Sequence, residues 1–155
     1  MKTRPASILV ALLALLCLCN SAHAAATLEI TTPWIREAPP TSRVLAAYMS
    51  INNPGDAAVT INAISSPDFE SAELHRTVIN EGVASMQHIK QLEVPANGDI
   101  MLEPGGLHLM LFNPKRMLAA GDTVTLTIHV TNGTCMTVSA PVVRKVDDGH
   151  SQHHH

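Results

Sequence analysis

Apolar and polar residues alternate with a period of two along much of this chain. The cleanest runs are Thr123-Val124-Thr125-Leu126-Thr127-Ile128-His129-Val130 and Leu107-His108-Leu109-Met110-Leu111-Phe112. Successive side chains of a strand point to opposite faces, so these runs are expected to be strands with one face buried. Further strand-like runs are expected at 27–31, 46–52, 58–65, 72–78, 83–89, 99–102 and 135–142. Turn chemistry separates them: Asn53-Pro54-Gly55-Asp56, Ser66-Pro67-Asp68, Asn80-Glu81-Gly82, Pro95-Ala96-Asn97-Gly98, Pro104-Gly105-Gly106 and Asn132-Gly133. Asn132-Gly133 between two alternating runs is a strong hairpin signal. Only Lys115–Leu118 suggests a short helical turn. Many short strands at this spacing imply an all-β sandwich or barrel, with no internal repeat and no interior linker.

The N-terminal residues break this pattern. Lys2 and Arg4 precede an apolar stretch from Ile8 to Cys19, and Ala22-His23-Ala24 follows as a small-x-small cleavage site. The apolar stretch falls short of the ~20 residues that cross a bilayer. Residues 1–24 are therefore expected to be a cleaved export signal, leaving no stable membrane anchor. A lipoprotein reading is weaker, because Leu16 and Leu18 stand where a small residue should precede Cys17 or Cys19. Residues 25–146 form the expected domain, and 147–155 a polar tail.

Loss of Lys2 and Arg4 from ten basic residues leaves eight against thirteen acidic ones, a net charge of −5. That balance argues against nucleic acid as a partner. Of the three cysteines, Cys17 and Cys19 lie in the leader, so Cys135 has no intramolecular partner. It is expected to be a buried thiol, with an intermolecular disulfide as the alternative. No nucleophile–base or paired-carboxylate motif points to an enzyme.

The candidate chemistry is a set of imidazoles and thioethers. His75 is followed after ten residues by Met86, after twenty-one more by His108, and then, past one residue, by Met110. Thioether sulfur is soft and neutral, which suits Cu(I) and offers little to Zn²⁺, Mg²⁺ or Ca²⁺. Residues two apart share a strand face, so His108 and Met110 should project together, with Leu107, Leu109 and Leu111 facing the core. Met86 and His88 should share a face in the same way, and three strands could converge four side chains on one ion. Taken singly, a Met in a strand is core filler and a His is a satisfied or surface residue. Met49, Met101 and Met117 are read as packing residues, His129 as structural, and His88 as either a supporting or a solvent-facing group.

The full spacing H-x10-M-x21-H-x-M resembles that of the PCu(A)C copper chaperones. Ala46–Gly55, Leu74-His75, Gly82-Val83 and Pro104–Met110 also look like segments of that family. The resemblance implies a cupredoxin-like Greek-key β-sandwich or barrel in the periplasm. It further implies Cu(I) held by His75, Met86, His108 and Met110. The implied acceptor is the CuA domain of cytochrome c oxidase subunit II or another oxidase-assembly copper protein. One departure is Thr77, where the family often has a further Met. The tail adds His150, His153, His154 and His155 beside Asp147 and Asp148, candidate Cu(II) ligands of the imidazole and carboxylate type. An added purification tag is the alternative source of those histidines. Rival functions are a copper buffer without a dedicated acceptor, a blue-copper electron carrier using Cys135, and a secreted β-sandwich interaction module.

Overall fold

The computed structural model describes residues 28–144, so the expected leader (1–24) and the histidine-bearing residues 147–155 lie outside it. Ten strands follow one another: β1 (Glu29–Arg36), β2 (Val44–Asn53), β3 (Val59–Ser65), β4 (Phe69–Asn80), β5 (Val83–Ile89), β6 (Leu92–Val94), β7 (Gly98–Leu102), β8 (Leu107–Pro114), β9 (Thr123–Val130) and β10 (Cys135–Val143). Seven of them close a ring in the order β4-β8-β2-β1-β10-β9-β3, with β3 returning to β4 through Ile64↔Ala72. Closure pairs the seven ring strands on both sides, which reduces the open edge that could template aggregation to the outlying strands such as β5. Among the described strands, only β1 and β10 run parallel. The non-sequential order supplies the crossovers expected of a Greek-key barrel.

Alternation decides which side chains fill the barrel. Leu45, Ala47, Met49 and Ile51 of β2, Leu107, Leu109 and Leu111 of β8, and Val124, Leu126, Ile128 and Val130 of β9 are all buried. Each fully buried aliphatic side chain contributes about 1.5–3 kcal/mol through removal from water. The intervening residues of the same strands face outward, which puts His108, Met110 and Phe112 on the external surface of the wall.

Two irregular features shape that surface. β7 pairs with the second half of β2 (Met49↔Leu102) and β8 with the first half (Ala47↔Leu109). β1 already occupies the other edge of β2, so β7 and β8 lie end to end along one edge, and Glu103–Gly106 loops out between them. Gly105 has φ +81° in this loop, a conformation that costs glycine little. The second feature is the β4–β5 hairpin, whose Glu81 and Gly82 both have positive φ (51° and 80°). That pair makes the type I′ geometry matching strand twist and fixes the register Asn80↔Val83.

Three expectations need correction. Lys115–Leu118 forms a bend instead of a helical turn. Its backbone is drawn away by Lys115 N donating to Asp68 O (2.8 Å) and by Arg116 pairing with Asp68 (2.7 Å). Met101 and Met117 are exposed, so of the three methionines assigned to packing only Met49 is in the core. Cys135 is exposed, since it shares strand parity with the outward-facing Thr137 and Ser139. The short β6 was not anticipated.

Candidate metal centre

Register brings the two histidines together. His75 on β4 is the direct partner of His108 on β8, with ring centroids 6.3 Å apart in a stacked arrangement. On the other side of β4, Thr77 faces Met86 and His75 faces His88 on β5. Met110 lies opposite Glu73 on β4 and Ala46 on β2. The four candidate ligands therefore occupy one external face across three adjacent strands.

A pocket of about 180 Å³ opens on this face. Met86, His108 and Met110 line it together with Val44, Leu45, Ala46, Tyr48, Thr77 and Gly105. His75 is not in this lining; it stands beside it, next to His108. Met86 is 60% exposed at the outer edge, whereas His108 is only 5% exposed although its strand face points outward.

The hydrogen bonds assign each imidazole a free nitrogen. A carbonyl oxygen only accepts, so His108 donates Nδ1–H to Gly106 O (3.0 Å) and leaves its Nε2 lone pair available. A carboxylate likewise only accepts, so His75 donates Nε2–H to Glu73 Oε2 (3.1 Å). His75 Nδ1 is then left as a buried atom with no hydrogen-bond partner. A buried polar atom without a partner is costly, and a metal ion is one species that would satisfy it. Second partners of this kind commonly fix the tautomer and ring orientation of a ligating histidine.

The donor set also limits the choice of ion. Among the described residues no three His, Cys, Asp or Glu side chains are grouped to hold a metal. An ion at these two imidazoles would depend on methionine sulfur for the rest of its ligands, which selects a soft cation. Cys135 is on β10, three strands from β8 around the ring, so a blue-copper arrangement with these histidines is excluded.

Several participating residues were not singled out from sequence. Tyr48 borders the pocket and packs on Trp34 (centroids 4.5 Å) under the Arg36 guanidinium. Burial holds its phenol above the ordinary range, with Arg36 opposing in part. Its position two residues beyond Ala46 on an alternating strand was the available signal. Glu73, two before His75, carried the same signal. His88 places its ring 5.4 Å from His75 but lines a separate groove with Glu73, Leu74 and Ile89. Thr77, where the family often has Met, lies within the pocket wall. The tail candidates His150, His153, His154 and His155 fall outside the described residues.

Comparison with known proteins gives concordant results. The family model described as "Putative lipoprotein LpqE-like" matches residues 28–142. Lxx21020 of Leifsonia xyli subsp. xyli, described as a putative lipoprotein, is 30% identical over 115 residues, covering 74% of this chain and 68% of the relative. RP573 of Rickettsia prowazekii is 29% identical over 126 residues, covering 77% and 68%. Among solved structures, the solution structure of Cu(I)-DR1885 from Deinococcus radiodurans has a TM-score of 0.61 at 30% identity, covering 83% of this chain and 87% of that one. The copper-bound PCuAC domain from PmoF2 has a TM-score of 0.66 at 21% identity, covering 78% and 97%, a likeness of fold alone. The expected cupredoxin-like architecture is thus the observed one.

Proposed function

Starting from a chain that belongs to the LpqE-like family and has the PCuAC fold, we propose that it is an exported Cu(I) metallochaperone. His75 Nδ1, His108 Nε2 and the sulfurs of Met86 and Met110 hold the ion. The carrying observation is the pair of free imidazole nitrogens, one buried without a partner, on the strand face that also presents both methionines. The likeness to Cu(I)-DR1885 supports the choice of ion.

The chemistry suits a carrier. Two neutral imidazoles and two thioethers add no charge, and thioethers need no deprotonation to bind. The ion keeps its +1 charge and is held without the grip of a thiolate cage. Met86 sits on β5, which among the described strands pairs only with β4, and its side chain is mostly exposed. It is the ligand an incoming thiolate would displace first, while the buried His108 would leave last. Transfer then follows the gradient of ligand softness towards the acceptor, with no catalytic group required.

We assign the acceptor as the CuA domain of cytochrome c oxidase subunit II, or an assembly protein that serves it, and the compartment as the periplasm. The test loads the full chain with Cu(I), mixes it with the apo CuA domain, and measures copper on each protein after separation. Transfer of most of the copper is expected. Retention against every thiolate acceptor, together with normal oxidase activity in a deletion strain under copper limitation, would leave the buffering role instead. Because the family model and the Leifsonia xyli relative are both described as putative lipoproteins, the mass of the exported protein should also be measured. Cleavage after Ala24 is expected, and a lipid-modified Cys17 or Cys19 would replace that reading.

A further inference from the structure

Cys135 opens β10 on the wall away from the proposed copper site, and it does not stand alone. Its register partner on β9 is His129, and the Cys135 Sγ to His129 Nδ1 distance is 3.1 Å. The other ring nitrogen, Nε2, lies 2.9 Å from Ser65 Oγ on β3. Three neighbouring strands thus contribute three polar side chains to one outward face.

The bonds form a consistent relay. If the thiol donates to Nδ1, the neutral ring carries its own hydrogen on Nε2 and donates it to the Ser65 hydroxyl oxygen. The imidazole is thereby held with a lone pair aimed at sulfur. A nucleophile, a base within hydrogen-bond reach and a third group orienting that base form the arrangement that activates an otherwise weak nucleophile. An inert structural cysteine is buried in apolar surroundings, whereas Cys135 is exposed. Among the described residues no third His, Cys, Asp or Glu is grouped with these two donors, which favours thiol chemistry over a metal site.

We propose that Cys135 is a site of reversible S-thiolation, with His129 as its base and Ser65 as the positioning residue. His129 Nδ1 takes the thiol proton, and the thiolate attacks one sulfur of a small disulfide such as glutathione disulfide. The Cys135–S bond to that sulfur forms as the disulfide's S–S bond breaks. The departing thiolate accepts the proton from His129, so the small disulfide is the oxidant and one of its halves leaves reduced. Cys135 is the sole cysteine among the described residues, so no second thiol there resolves the product. The mixed disulfide persists until an external thiol removes it. Cys135 lies three strands from β8 around the ring, while Ser65 is on β3, which borders β4; the proposal does not draw on copper binding.

The test incubates the full chain with glutathione disulfide at neutral pH and follows the Cys135 adduct by peptide mass mapping. That readout separates it from any Cys17 or Cys19 adduct. A folded-state rate about tenfold or more above that of the same chain unfolded in denaturant is expected, since a free thiol is only a few per cent thiolate at pH 7. His129→Gln should bring the rate to within about twofold of the unfolded value, and Ser65→Ala should give an intermediate loss. Circular dichroism checks that the variants are folded. If His129→Gln does not fold, Ser65→Ala and the wild-type comparison decide. A folded wild type no faster than the unfolded chain, or a folded His129→Gln or Ser65→Ala at the full wild-type rate, would overturn the assignment.

Discussion

Removing the Glu73 carboxylate should weaken Cu(I) binding although Glu73 is not assigned as a ligand. Its Oε2 lies 3.1 Å from His75 Nε2, and this contact leaves Nδ1 as the free nitrogen. The contact is a hydrogen bond and not an ion pair in the metal-competent state, because an imidazole that offers a lone pair is neutral. In Glu73→Ala the ring can take the other tautomer or rotate, and both outcomes remove Nδ1 from the ion. Loss of such a partner typically costs 10–100-fold in metal affinity. Glu73 is 40% exposed while His75 is 13% exposed, so water can replace part of the interaction and the lower end applies. The expected loss is about tenfold, or ~1.4 kcal/mol. Glu73→Gln keeps an oxygen that accepts from Nε2 and removes only the charge, which should cost about twofold, on the order of 0.5 kcal/mol. Stability should change by less than about 0.5 kcal/mol in either variant, since no core contact is lost. Affinities come from competition with a chromogenic Cu(I) chelator under anaerobic reducing conditions, and stability from urea unfolding. If Glu73→Ala binds like wild type while His75→Ala does not, the carboxylate has no part in preparing His75.

Other consequences can be measured on the same material. Met86→Leu and Met110→Leu should each reduce Cu(I) affinity with the fold intact, and sulfur should weaken in the X-ray absorption spectrum; unchanged affinity in both would remove the thioethers from the site. Tyr48 is the chain's one tyrosine, so the pH-dependent rise in absorbance at 295 nm reports its ionisation, and in the folded protein it should ionise above the ordinary value of 10.0. Burial stabilises the neutral phenol of the native state, so its contribution is present below pH ~10 and is lost as pH rises through the elevated value. Ionisation at the free-tyrosine value in the folded protein would contradict the packing against Trp34.

Local alternation carried most of what was legible. His108 and Met110 share a face with Leu109 pointing inward, and β5 begins and ends where its pattern indicates, at Val83 and Ile89. The missed features have local reasons as well. β6 has three residues followed by Pro95, too short to show a period. The bend at Lys115–Leu118 depends on Asp68, a residue in the distant β3–β4 turn. Residue type alone predicts burial for Cys135, whereas its parity with Thr137 and Ser139 points outward. Cross-strand register was beyond reach, because nothing in the segment around His75 states that His108 will be its partner.

That register also explains why the spacing of the four residues carries meaning. The ten residues between His75 and Met86 contain a two-residue hairpin turn, and turn length fixes Thr77 against Met86. One residue added to β5 would send Met86 to the opposite face. The longer interval to His108 contains β6, β7 and the Glu103–Gly106 loop, and that loop supplies the carbonyl that orients His108. Its Gly106 carbonyl also accepts from Thr77 N at 3.1 Å, so the same loop is tied to β4 within the pocket wall. The single residue between His108 and Met110 is the strand period itself. Placing the candidate donors on the outside of a closed wall leaves the hydrophobic interior free to supply stability. The ligand face can then remain partly open, with Met86 at its edge, as transfer to another protein requires.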